Sequence, residues 1–113
     1  MRLEAKKYLY DVQQAADLVA AFTAARRLSD YEADALLRSA VERQFEIIGE
    51  ALAQLARLDE TIAARISEYR RIIAFRNILI HGYAEVDHRT VWDIVESKLP
   101  TLRREVAALQ DEG

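Results

Sequence analysis

Apolar residues recur at spacings of three and four along nearly the whole chain, the period of an amphipathic helix. Leu9, Val12, Ala16, Val19 and Phe22 mark a first helix over roughly Leu3 to Arg27. Ser29, with Glu32 three residues on, forms a capping-box pattern that opens a second helical region, which can begin as a separate short helix. Leu37, Val41, Phe45, Ile48, Leu52 and Leu55 then form one continuous seam to about Leu58. Asp59 and Thr61 predict a break and a short helical turn. Ser67 is expected to cap a third helix that ends at His81, with Gly82 as a left-handed residue just beyond it. Asp87 caps the last helix, and Val91, Ile94, Val95, Leu99, Leu102, Val106 and Leu109 hold one phase across Pro100. A kink or brief restart is expected at that proline. Long amphipathic helices with short connections predict an all-α fold, an antiparallel helical bundle of four to five helices, in one domain spanning 1–113.

The third helix departs from this pattern. With Ile72 at zero on a helical wheel, Ile73, Phe75, Ile78, Leu79 and Ile80 fall at about 100°, 300°, 240°, 340° and 80°. Apolar residues nearly encircle it, so it is expected at the bundle centre or under a second chain. Arg76, at about 40°, lies on the apolar arc. A guanidinium there needs a partner: a carboxylate such as Glu46 or Glu50 of the second helix, or a ligand phosphate. Asn77 and His81 are four apart and share a face. His81 ends the helix, where the negative end of the helix dipole faces it, a placing suited to acid–base work. Residue types alone favour the plainer reading, with Arg76 a structural ion-pair residue and His81 a C-terminal cap.

Composition narrows the chemistry. There is no cysteine, which removes disulfides and thiolate metal sites and fits a reducing cytoplasm. No leader or membrane-spanning run is visible. The net charge is −3, which argues against extensive phosphate contact. Between Thr61 and Tyr83, however, Arg65, Arg70, Arg71 and Arg76 face a single Glu68, a local +3 on a body of −6. Such a segment suits a confined anionic ligand. The remaining polar residues read as scaffold: Arg43, Glu46 and Glu50 as an ion-pair network within the second helix, His88 as a surface residue, Arg103, Arg104 and Glu105 as a solvated face. Trp92 reads as core or interface.

The string RNILIHGY, Arg76–Tyr83, resembles the R-x4-H-x-Y signature of HepT-like toxins of the HEPN superfamily. FEIIGEAL (Phe45–Leu52) and VDHRTVWDIVESKLPTLRREV (Val86–Val106) resemble two further segments of that family, in the same order. The resemblance covers about Ala40 to Val106. It implies a dimerising helical bundle in which two R-x4-H motifs meet in a cleft between subunits. It also implies a metal-independent endoribonuclease without cofactor, the toxin of a toxin–antitoxin system. Its partner would be an MntA-like nucleotidyltransferase antitoxin that silences it by AMPylation of the motif tyrosine. Carried onto this chain, Arg76 and His81 become the catalytic pair and Tyr83 the modification site. Asn77 matches a polar residue that often follows the motif arginine, and Glu50 matches a glutamate of the second helix. The competing reading is a non-catalytic helical adaptor or dimerisation subunit that binds a nucleotidyltransferase.

On the wheel, Arg76 and His81 stand about 140° apart, too far round a straight helix for both to reach one atom. Distortion at Gly82, or pairing across a two-fold axis, would reconcile them.

Overall fold

The computed structural model describes residues 1–82, 84 and 86–113, and these form seven helical segments and no strand. They are α1 (Leu3–Thr23), α2 (Leu28–Ala33), α3 (Ala35–Leu58), α4 (Glu60–Ala63), α5 (Tyr69–His81), α6 (His88–Ser97) and α7 (Leu99–Glu112). No described helix is long and apolar enough to cross a membrane.

The predicted stripes are the core. Leu9, Val12, Ala16 and Val19 of α1 meet Val41, Phe45, Ile48, Leu52 and Leu55 of α3 in one buried cluster. Val91, Val95, Leu99, Leu102, Val106 and Leu109 close it from α6 and α7. Phe22 and Ile94 are partly buried at its edge. The chain restarts at Lys98, with Pro100 in the first turn of α7, where a missing N–H leaves no helical bond unmade. α7 runs opposite to α1: Arg103 donates to Asp17 at 2.9 Å, while Gly113 sits against Lys6. α5 likewise returns along α3. Near its start Arg70 pairs with Glu60 at 2.9 Å, and farther along Arg76 pairs with Glu50.

Several helix ends differ from expectation. α2 starts at Leu28, so Ser29 lies inside it. Asp30, not Glu32, closes the box, by accepting the Arg27 N–H at 2.8 Å. Asp34 caps α3 by accepting from Leu37 N–H. Ser67 caps nothing. Its N–H and hydroxyl both donate to Glu105 of α7, at 3.0 and 2.8 Å, so Glu105 is a tertiary anchor and not merely solvated surface. The cap position of α5 is Glu68, in the left-handed region at φ 57°. Gly82 is not left-handed (φ −124°), and its N–H donates to Ile78 C=O at 2.8 Å. The break expected at Asp59 is a cap, Asp59 accepting from the first turn of α4, and Asp87 caps α6 as expected.

Of the two placings expected for α5, one is excluded: α5 is not central. Its main contacts are with α3 alone, and only Leu79 is buried. Ile78 and Ile80 are 52% and 42% exposed. Periodicity shows which residues are apolar but not how many neighbours a helix has.

A polar side chain is buried in the core. Tyr31 of α2 is fully enclosed, with its ring 5.4 Å from Trp92 and edge-on to His88 at 6.1 Å. Trp92 is core, and His88 is part-buried against this tyrosine instead of standing free on the surface. The Tyr31 hydroxyl has no hydrogen-bond partner among the described residues. Burial, with Glu42 nearby, pushes its pKa far above the usual phenol value. A raised folded value means that this tyrosine leaves stability unchanged below about pH 10 and that stability falls as pH climbs further, because only the unfolded chain ionises readily. Tyr31→Phe removes an unsatisfied hydroxyl at little change in shape. It is therefore expected to be neutral or stabilising by up to ~1 kcal/mol at pH 7. It should also flatten the loss of stability above pH 10. Urea titration at pH 7 and pH 10.5 checks both, and a loss above 1 kcal/mol at pH 7 would mean the hydroxyl has a partner after all.

Candidate active site

Arg76, Glu50, Asn77 and Gly49 come together where α5 crosses α3. The Arg76 side chain is 23% exposed and Glu50 is 45% exposed. Arg76 Nη2 donates to Glu50 Oε2, and Nη1 donates to Asn77 Oδ1 at 2.8 Å. Arg76 Nε is buried and has no hydrogen-bond partner among the described residues. Glu50 is thus the carboxylate that the apolar position of Arg76 required. It does not belong to an ion-pair network within α3. Arg43 pairs with Glu46 at 3.2 Å, while Glu50 takes Arg76 and accepts from Gln54 at 3.1 Å. A guanidinium has five N–H donors, so three remain after these two bonds, and one sits on each terminal nitrogen.

The approach of the two helices at this point is very close. A methyl group built on Gly49 would lie 2.2 Å from Arg76 Cβ and 2.7 Å from its Cγ. The stem of Arg76 therefore lies directly on the α3 backbone. Gly49 was not singled out as a site residue from the sequence. The available signal was a lone glycine inside a strong helical pattern, which commonly marks a packing constraint.

Beside Arg76 a groove of about 320 Å³ opens between α1, α3 and α5. Tyr8 and Asp11 form one wall, Arg43, Glu46, Ile47 and Glu50 the floor, and Arg76 and Ile80 the other wall. His81 does not line it. It is the last residue of α5 and is exposed, as is Asn77. No described hydrogen bond joins His81 to Arg76, Asn77 or Glu50. Within one chain, then, Arg76 and Glu50 meet and His81 stands apart. Tyr83 lies outside the described residues.

The basic segment changes character in three dimensions. Arg65 pairs with Glu112, Arg70 with Glu60, Arg71 with Glu68 at 3.0 Å, and Arg76 with Glu50. Each of its four arginines meets a glutamate, and Lys98 joins Glu68 at 2.8 Å, which holds that carboxyl below the usual carboxylate range. The local +3 is therefore no open cationic patch, because the fold brings in acidic partners from α3, α4 and α7. Among the described residues no group of three or more His, Asp or Glu side chains is placed to hold a metal ion.

Comparison with known proteins identifies the family. The sequence profile of the family described as "Ribonuclease HepT-like" matches residues 12–109. The chain belongs to that HepT-like family. A protein of Thermococcus cleftensis named as a probable ribonuclease HepT is 33% identical over 103 residues, covering 91% of this chain and 93% of its own. A Methanocaldococcus jannaschii protein named as a candidate RNase is 32% identical over 103 residues, covering 91% and 94%. A longer protein of the same organism, named as a gamma-glutamylcyclotransferase and candidate RNase, is 30% identical over 112 residues, and this chain spans half of it. No solved structure matches. Membership bears out the HepT-like resemblance and the all-α fold, and it makes this a ribonuclease-family chain.

Proposed function

We propose that this HepT-like chain is a metal-independent endoribonuclease toxin that works as a homodimer with a composite site. The observation that carries the reading is the placing of Arg76. It is a mostly buried arginine held at a groove by a single carboxylate, on the same helix as an exposed terminal His81. RNA supplies its own nucleophile, the ribose 2′-OH. His81 takes that proton or protonates the departing 5′-oxygen. Arg76 offers its remaining N–H donors to the charge that develops on the phosphoryl oxygens. Because the two residues diverge by about 140° on α5, the cleft is completed by a second chain. The apolar, outward-facing Ile78 and Ile80 supply a surface for that contact. Tyr83, two residues past His81, is the proposed acceptor of AMP from an MntA-like nucleotidyltransferase antitoxin. A bulky anion there would repel RNA phosphate.

The test is direct. Protein free of Tyr83 modification, purified as a dimer by light scattering, should cleave RNA to the same extent with and without chelator. A monomer at micromolar concentration, or a dimer with no RNA product, would sink the reading. The Arg76–Glu50 pair is also what a non-catalytic adaptor would display, and Glu50→Gln separates the two. Since Glu50 is nearly half-exposed, the stability loss should be about 1 kcal/mol. A structural pair predicts that loss alone. The enzyme reading predicts in addition a change in cleavage rate at unchanged oligomeric state.

A further inference from the structure

We propose that Gly49 is a positioning residue for Arg76: a bare notch in α3 that fixes where the guanidinium and the rest of α5 stand. The proposal rests on the ribonuclease reading above for its consequence, though not for its geometry.

Three observations carry it. The first is distance: a Cβ at position 49 would fall 2.2 Å from Arg76 Cβ, 2.7 Å from Arg76 Cγ and 3.4 Å from Ile72 C=O. The nearest of these atoms is bonded to the α5 backbone, so the clash cannot be relieved by a rotamer change. The helix itself must move. The second is conformation: no glycine in the chain has positive φ. Gly49 sits in the interior of α3, where glycine is a poor helix former. Space, not backbone freedom, explains it. The third is the state of Arg76. Its Nε is buried without a partner among the described residues, and its Nη2 binds the residue next to the notch, Glu50. Position 49 makes room for the arginine stem and position 50 holds its tip.

A side chain at 49 would push α5 outward by at least 1.2 Å, from 2.2 Å to the 3.4 Å where ordinary contact begins, and a misplacement of even ~1 Å lowers catalysis by about 10²-fold. Because α5 also ends in His81, both proposed catalytic groups shift together. Substrate capture should change less, since the groove stays open.

The experiment compares wild type, Gly49→Ala and, as a control for general destabilisation, Leu109→Ala in the α7 core. In Gly49→Ala, kcat should fall by about 10²-fold with KM within a few-fold, at retained helicity and oligomeric state. Leu109→Ala should lower the melting temperature and leave kcat near wild type. The second readout does not depend on cleavage. In a ¹⁵N spectrum the buried Arg76 Nε–H should exchange slowly in wild type and rapidly in Gly49→Ala. Third, adding Gly49→Ala to an Arg76→Ala chain should lower stability further, because the opposing Cβ remains. It should lower activity by a smaller factor than Gly49→Ala does alone, because only the shift of His81 is left to be felt once the guanidinium is gone. An unchanged kcat and unchanged Nε–H in Gly49→Ala overturn the proposal, as does an equal kcat loss in Leu109→Ala. If Gly49→Ala does not fold, the double variant Gly49→Ala/Arg76→Gly deletes the opposing Cβ and should restore folding; failure to do so overturns the close contact as the cause. If wild type cleaves no RNA, the ribonuclease reading fails, while the Nε–H exchange still decides whether Gly49 seats Arg76.

Discussion

His81→Ala is expected to lower RNA cleavage by about 10²–10⁴-fold, the usual contribution of a positioned acid or base. The fold should be left almost untouched. His81 is exposed, ends α5, and makes no described hydrogen bond to Arg76, Asn77 or Glu50. Exposed substitutions away from caps and networks shift stability by about 0.5 kcal/mol or less. Activity and stability are therefore separable at this residue as they are not at Arg76, where loss of the side chain also strands Glu50. Single-turnover cleavage with a thermal melt of the same sample checks the claim. A His81→Ala protein that cleaves at the wild-type rate would remove His81 from the chemistry. A parallel loss of melting temperature and rate would reduce it to a structural cap. Mixing His81→Ala with Arg76→Ala protein adds a geometric check. If the site is shared between chains, the mixed dimer should recover part of the activity that neither parent shows.

The largest effect on stability is expected at the centre of α3. Leu52 is fully buried between α1 and the rest of the core, and Leu52→Ala should destabilise the protein by about 2–5 kcal/mol. For a chain of this size that lowers the melting temperature by about 10 °C or more. The cost combines lost burial with a cavity that two long helices cannot collapse around. Urea titration checks it through a lower midpoint at an unchanged slope. A loss below 1 kcal/mol would mean that α3 does not organise this core. The same helix carries Gly49 and Glu50, so the element that holds the protein together also holds Arg76 in place.

The candidate site was only partly legible from the residues. Arg76 stood out because it fell on the apolar arc of its helix, and a charge there needs a partner. Glu50 was one of two carboxylates that could supply it, and spacing could not choose between Glu46 and Glu50. The choice follows from how α5 crosses α3, a long-range geometry that no local pattern encodes. Gly49 stayed unnoticed for the same reason, since a glycine in a helix has no meaning until something lies against it. The paired arginines make the point in reverse. Counting charges along residues 61–83 suggests a basic segment suited to an anionic ligand, yet Glu112, Glu60 and Glu50 join the Glu68 already within it, reaching their arginines from 47, 10 and 26 positions away.

By itself the sequence determined the all-α class, the buried seams of α1, α3 and α6–α7, the break at Asp59, the capping by Asp87, the restart near Pro100 and the R-x4-H segment with its HepT-like relationship. These are local properties: a period near 3.6 residues, cap chemistry and residue order. Tertiary structure alone decided that α5 lies on the outside, that Ser67 anchors to Glu105 instead of capping a helix, and that Tyr31 is sealed in the core. It also decided that Arg76 rests on a bare glycine with Glu50 at its tip. Each of these depends on which surface meets which. That is settled by packing and by pairing of charges distant in sequence, which the period of a single helix does not record.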